Sequence, residues 1–403
     1  MMFNLEKFIA EKVTGRPESM FLPDLEEHRE ELANRIEGKR VLVIGGAGSI
    51  GSSFIRSLLP FRPSELVVVD TNENELAELT RDLRSTKGMF VPERYTPYPM
   101  DFASPVFEKM FRTRGGFDIV GNFSAHKHVR SEKDIFSVEA LLQNNVLHAA
   151  GLLALLGERP PEAYFCVSTD KAANPVNIMG ASKRIMEDMI FSHSDRFPVK
   201  TARFANVAFS NGSLPAGFLA RIRKLQPLSA PSDVKRYFVS PEESGQICML
   251  ACMLGENRES VYPRLREAQM MSFDVIGTAL LEAQGYRVLE CASEAEAIDR
   301  AEELRHGSDL YPVYYSRSDT SGEKPFEEFV AEGETADESR FASLGVITGK
   351  AVPDRAKVEN LLRQLTETLN AKDASKEEVV RLMSEYLPNF HHLETGRSLD
   401  GKM

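Results

Sequence analysis

The placement of apolar residues changes several times along the chain, and each change marks an element. Residues 1–38 are charge-dense with a helical period, and LEEHREELANRIEGK ends at Gly38, a helix stop. This segment reads as a helical arm that packs on the body or on another subunit. Arg40 then leads into VLVIGG, a β-branched run of the kind buried in a parallel sheet. Runs of the same sort recur at Leu66–Val69, Asp118–Phe123, Ala163–Ser168 and Val199–Phe204, separated by segments with helical period. Strands alternating with helices predict βαβ units, hence an α/β fold with a doubly wound parallel sheet. Beyond about residue 210 the alternation fades into a loop-like NGSLPAG, a helix over Glu242–Leu254 and another around Phe273–Gln284. From Asp354 two charged amphipathic helices extend, with residues 371–375 between them. The expected organisation is an amino-terminal helical arm (1–38), a sheet domain carrying the active site (39–255), a smaller substrate-binding subdomain (256–350) and a carboxy-terminal helical tail (351–403).

The strongest local motif comes directly after the first strand. Gly45-Gly46-Ala47-Gly48-Ser49-Ile50-Gly51 supplies glycines at 45, 48 and 51, which allow a tight turn, backbone approach to a pyrophosphate and close packing of helix on strand. The helix amino terminus presents the positive end of its dipole to the same anion. Asp70 ends the second strand 19 residues after Gly51, where its carboxylate would accept from the adenosine ribose hydroxyls and repel a 2′-phosphate. This is a Rossmann-type dinucleotide site that favours NAD over NADP. Asp70 as a plain helix cap fits the same position. Asp101 is a further candidate for contacting the adenine, or a surface turn.

Composition narrows the partners. The 403 residues are 42% hydrophobic and 27% charged, as in ordinary globular proteins, and a net charge of −11 opposes binding to a nucleic-acid backbone. The four cysteines, Cys166, Cys248, Cys252 and Cys291, sit mostly in apolar stretches and read as reduced thiols. His126 and His128, one residue apart on a strand, face opposite ways, so no metal site is expected. No window reaches the ~20 uninterrupted apolar residues of a membrane span, which gives a cytoplasmic reading.

The GxxGxxG spacing resembles the extended short-chain dehydrogenase/reductase superfamily. The stretch from Asn122 to Val129 and the stretch STDKAANPVNIMGASKR from Ser168 to Arg184 are similar to signatures of its polysaccharide-biosynthesis branch, whose members are nucleotide-sugar 4,6-dehydratases. Arg203 to Val207, Asn211 to Ser213, Lys235 to Phe238 and Ser321 to Lys324 match further signatures in order, so the resemblance spans roughly residues 39–330. It implies a nucleotide-sugar substrate, UDP-N-acetylglucosamine before its GDP-linked counterpart, tightly bound NAD, and a homo-oligomer, a dimer or larger.

Such a reaction needs a group to deprotonate O4, a base at C5 and an acid for the departing C6 hydroxyl. By resemblance Asp170 is that acid and Lys171, in its neutral form, that base. Both roles oppose what adjacent opposite charges favour, so burial and substrate must reorganise the pair; a salt-bridged turn is the plainer reading. Lys183 would bind the nicotinamide ribose. Met179, four residues before Lys183, occupies the place where the superfamily has the tyrosine that deprotonates O4, and a thioether takes no proton. Thr169, a water or Asp170 would serve instead. Ser124 and Ala125 belong with the cofactor, and Lys127 and His128 with cofactor or sugar. Asn206, Ser213 and Arg236 are candidate substrate contacts, Arg236 offering a planar fork to phosphate oxygens. Two other functions are compatible with parts of this pattern: a nucleotide-sugar 4-epimerase, which would be expected to keep the tyrosine, and a non-catalytic NAD-binding scaffold or sensor.

Overall fold

The computed structural model describes residues 3–128, 132–318 and 327–393. Val129 and the Ser321 to Lys324 motif lie outside the described residues. Six parallel strands form the centre: β1 (Arg40–Ile44), β2 (Glu65–Asp70), β3 (Arg94–Pro99), β4 (Ile119–Asn122), β5 (Ala163–Val167) and β6 (Val199–Ala202). Their order is 3-2-1-4-5-6, the Rossmann arrangement. Alternate residues of each central strand enter opposite faces. Val41 and Val43 join Leu66, Val68 and Phe165 beneath helices Ser49–Leu58 and Pro241–Leu254, whereas Leu42 and Ile44 join Val67, Val69 and Tyr164 beneath His148–Glu158 and Ile178–Phe191. Burial on both faces explains why these strands read as continuous apolar runs.

One strand was not legible in the apolar pattern. β3, RYTPYP, holds Pro97 and Pro99, which cannot donate to a ladder and fit only because β3 is the sheet edge. The sheet also continues past residue 255. Ser260–Pro263 pairs in parallel with β6, and Leu344–Thr348 and Thr335–Asp337 add antiparallel strands beyond it. Residues 256–350 therefore divide between the central sheet and a smaller unit. That unit is a three-stranded parallel sheet of Leu228–Pro231, Arg287–Glu290 and Leu310–Ser316, covered by helices Leu214–Arg223 and Phe273–Ala283.

Both arms bury their apolar faces against the same chain. Phe8, Ile9 and Val13 enter the core of the small sheet, and Arg16 forks onto Glu243 with two bonds of 2.7 Å. At the other end helices Arg355–Leu369 and Lys376–Tyr386 lay Leu361, Leu365, Val379 and Met383 on Val138, Leu141, Ile178 and Ile185. Among the described residues one helical run, Ile135–Glu158, is long and apolar enough to cross a membrane. Half of its most apolar 18-residue stretch is buried here, between the sheet and the carboxy-terminal hairpin.

A buried ionic cluster locks the central sheet to the strands and loops beyond residue 327. Arg203, fully buried just beyond β6, donates Nε and Nη2 to Glu187 at 2.9 and 2.7 Å, and Nη2 to Glu334 at 2.9 Å. Its Nη1 also reaches the Phe329 carbonyl, at 2.8 Å, and Lys350 approaches both carboxylates at 3.2 Å. Burial alone would raise both acids, but the surrounding cations outweigh it, holding Glu187 well below the usual range and Glu334 at about 2.

Arg203→Met is expected to leave two buried carboxylates underpaired and to lower stability by about 3–5 kcal/mol in urea unfolding at pH 7. Because the folded-state carboxylates are depressed, their contribution is complete above the ordinary carboxylate range and is lost as pH falls from about 4.5 towards 2. A chain ending at residue 350 exposes the face of Val138, Leu141 and Ile185; in size-exclusion chromatography it self-associates, and an unchanged elution and Tm would contradict this packing.

Candidate active site

The strand order reverses between β1 and β4, and a crevice opens there at the carboxyl ends of the strands. Gly45 turns the chain out of β1 with φ +69°, and a Cβ on it would stand 2.6 Å from the Ser124 amide nitrogen, so glycine is required at this crossing. Helix Ser49–Leu58 then opens at Gly48 without a side-chain cap, leaving first-turn amides directed at the crevice. Asp70 accepts from the amides of Ala47 and Asn72 at 3.1 and 3.0 Å, which fixes its carboxylate at the crevice wall.

Two cavities meet at Gly45, Gly48, Phe123 and Ala125. The first, about 550 Å³, is lined by Asp70, Asp101, Ser124 and Ala125, together with Gln143, Asn144 and His148. The second, about 510 Å³, is lined on one side by Gly45, Gly48, Ser49, Ile50 and Gly51 and on the other by Thr169, Asp170, Lys171, Met179 and Lys183. Lys127, His128, Asn206 and Ser213 complete its rim. The joined shape, the uncapped helix start and the acid at the end of β2 fit a dinucleotide stretched across the switch point. Among the described residues no group of three metal-ligating side chains is present.

At the end of β5 the chain enters a short turn, Asp170–Ala172. Thr169 Oγ1 donates to Asp170 Oδ1 at 2.7 Å, and Lys171 Nζ lies 3.1 and 3.2 Å from the two Asp170 oxygens. Asp170 is buried, and Lys171 is half-exposed toward the cavity. The helix after it approaches so closely that a Cβ on Gly180 would stand 2.5 Å from the Lys171 carbonyl oxygen. Met179 is buried beside this turn and lines the cavity. Lys183, one turn on, donates to the Val167 carbonyl at 3.1 Å, and burial lowers its proton affinity.

Other predicted residues have mixed positions. Lys127 spans the cleft to the Asn211 carbonyl at 2.8 Å. Asp101 accepts from the Ala103 amide, and Ser213 accepts from the Ala216 amide as a helix cap. Arg236 is buried, donates to the Lys235 carbonyl at 2.9 Å, and is not among the residues lining either cavity.

Several residues that shape the site had no motif to announce them. A π-turn, Gln143–Leu147, swings buried Asn145 onto the loop after β4. Asn145 accepts from the His126 amide at 2.8 Å and donates to the His126 carbonyl at 2.9 Å and to Ser182 at 3.2 Å, so it ties that loop to the helix bearing Met179 and Lys183. Glu132 accepts from the amides of Ile178 and Met179 at 3.0 and 2.8 Å and so caps that helix. The tail reaches the same residue, through Lys376 on the Glu132 carbonyl at 2.7 Å. Glu327 is buried, with Asn206 Nδ2 on one oxygen and the Tyr237 amide on the other, both at 2.7 Å.

The family model described as "Polysaccharide biosynthesis protein" matches residues 41–334. The probable polysaccharide biosynthesis protein EpsC of Bacillus subtilis is 27% identical over 332 residues, 80% of this chain and 50% of its own, so the chain spans half the length of that relative. The inverting UDP-N-acetylglucosamine 4,6-dehydratase of Campylobacter jejuni is 26% identical over 220 residues, 51% of this chain and 61% of its own. Among solved structures, Pen from Bacillus thuringiensis superposes with a TM-score of 0.63 at 18% identity, covering 83% of this chain and 99% of that one, a likeness of fold.

The close contact at Gly180 gives a direct check. Gly180→Ala pushes a methyl into the Lys171 carbonyl and is expected to cost about 1–3 kcal/mol in thermal unfolding, while Ala181→Ser, one residue on, serves as the comparison.

Proposed function

The chain belongs to the polysaccharide-biosynthesis family, and from that premise we propose that it is a nucleotide-sugar 4,6-dehydratase acting on a UDP-N-acetylhexosamine, UDP-N-acetylglucosamine first, to give a 4-keto-6-deoxy sugar with tightly held NAD. The observation that carries this reading is the Asp170–Lys171 pair, an acid and an amine 3.1 Å apart on a turn that lines the same cavity as the glycine turn. When bound, NAD supplies the hydride acceptor at C4 and the donor at C6, so the reaction is redox-neutral. The chain supplies binding and proton movement.

The glycine turn and the uncapped helix start would meet the pyrophosphate, and Asp70 would accept from the ribose hydroxyls and repel a 2′-phosphate. Lys183, at the cavity wall, would hold positive charge beside the nicotinamide ribose. With Met179 unable to act at O4, the Thr169 hydroxyl, already bonded to Asp170, gives the O4 proton a path to that carboxyl. Lys171 as a neutral amine then takes the proton at C5, made acidic by the new ketone, while Asp170 protonates the departing C6 hydroxyl. The proton removed from O4 and the hydroxyl lost from C6 together make the water released, and the C5 proton returns to C5 from Lys171 as hydride arrives at C6.

The buried Met179 favours this reading over 4-epimerisation, in which O4 must be both deprotonated and reprotonated. Incubation with UDP-N-acetylglucosamine is expected to yield a product lighter by one water. Unchanged mass with inverted C4 would indicate the epimerase, and no turnover of UDP- or GDP-linked N-acetylhexosamines would favour a binding role. Lys171→Ala is expected to abolish water loss while NAD stays bound; full activity in that variant would remove Lys171 as the base. Thr169→Val is expected to lower kcat about 10²-fold or more with little change in KM.

A further inference from the structure

Glu327 lines a third cavity of about 530 Å³ together with Asp233, Lys235, Tyr237 and Glu267. Its partner Asn206 lines the catalytic cavity itself. The groups facing it are Asp170 and Lys171 from the turn after β5, Arg236 from the strand Lys235–Arg236, the Tyr237 amide, and the acids Asp233 and Glu267 across the third cavity. Its oxygens face Asn206 and the Tyr237 amide, neither of them charged; the un-ionised form keeps the amide on its carbonyl oxygen and gives its own proton to a flipped Asn206 side chain. A carboxylate in that position would be a second buried anion against Asp170, an expensive arrangement.

We propose that Glu327 stands beside the Asp170–Lys171 pair as an un-ionised acid, so that one buried negative charge, and not two, faces Lys171. This rests on the dehydratase reading. With Glu327 neutral, Lys171 faces one buried anion in place of two while it serves as the amine that takes the proton at C5. Burial first, and the charge of Asp170 second, push the Glu327 carboxyl up to about 8, which keeps its proton in place at neutral pH and releases it in mild alkali. Glu327 touches no reacting atom in this scheme. It is a positioning residue that sets the charge of the pair, in the way a neutral buried acid serves other sites.

Glu327→Gln is the suitable variant because glutamine copies the neutral acid. Its carbonyl can accept from the Tyr237 amide while its amide donates to a flipped Asn206 side chain. In the NAD-loaded enzyme the wild type is expected to lose kcat with an alkaline limb near pH 8, whereas the glutamine variant keeps its turnover at pH 7 and lacks that limb. A limb unchanged in the variant, or a folded variant inactive at pH 7, would overturn the proposal. Infrared difference spectroscopy without substrate tests the proton independently of the activity. A protonated-carboxyl C=O stretch present in the wild type at pH 7, fading as pH passes about 8 and missing from Glu327→Gln, is expected. No such band difference would overturn the inference even with dehydratase activity intact; the band with no water loss from any nucleotide sugar would sink the dehydratase reading alone.

Discussion

The fully buried guanidinium of Arg203 is the contact on which the rest of the site depends. It holds two carboxylates from distant parts of the sequence, Glu187 on the helix after the Asp170–Ala172 turn and Glu334 beyond residue 327, and adds the Phe329 carbonyl. Desolvating Arg203, Lys350 and the two carboxylates together is costly, and the cluster recovers that cost only through good geometry and complete pairing. Its value lies in what it fixes. Glu187 also accepts from Ser168 at 2.7 Å, the residue directly before Thr169, so the carboxyl end of β5, the end of β6, the helix bearing Met179 and Lys183 and the chain that carries Glu327 are held by one set of bonds. Removing Arg203 leaves Glu187 and Glu334 with only Lys350 and Arg184 to balance them in a low dielectric.

Around that anchor the active site is built mostly from backbone. Gly45 and Gly180 let main chain approach main chain, Asn145 braces the loop after β4 through both polar groups of His126, and Glu132 ties down the first amides of the helix that carries Met179 and Lys183. Groups that would meet a ligand are thus positioned by elements that are themselves satisfied, which is what precise proton transfer requires. The carboxy-terminal hairpin takes part through Lys376 on Glu132 and through its apolar face on the same helix. It works as an internal support as well as a covering.

What the sequence disclosed was local in origin. The apolar runs of β1, β2, β4, β5 and β6 are legible because both faces of each strand are buried, and the glycine turn because its residues act within one turn of chain. Asp170 and Lys171 are adjacent, so their pairing needed no fold to bring it about. β3 escaped because an edge strand tolerates two prolines and has a single neighbour. Glu327, Glu132 and Asn145 escaped for another reason: each acts on a partner brought near only by folding, 121 residues away for Glu327 and Asn206 and 46 for Glu132 and Ile178. Arg236, prominent as a cation in a motif, turned inward beside its own strand.

The reading requires hydrogen to leave C4 and arrive at C6 of the same sugar while an acid and an amine remove water between them. Turnover of UDP-N-acetylglucosamine deuterated at C4, with the product analysed by nuclear magnetic resonance, tracks that transfer directly. The product expected is a 4-keto-6-deoxy sugar with the deuterium at C6. Deuterium retained at C4 of an epimerised sugar, or washed into solvent without a deoxy product, would contradict it.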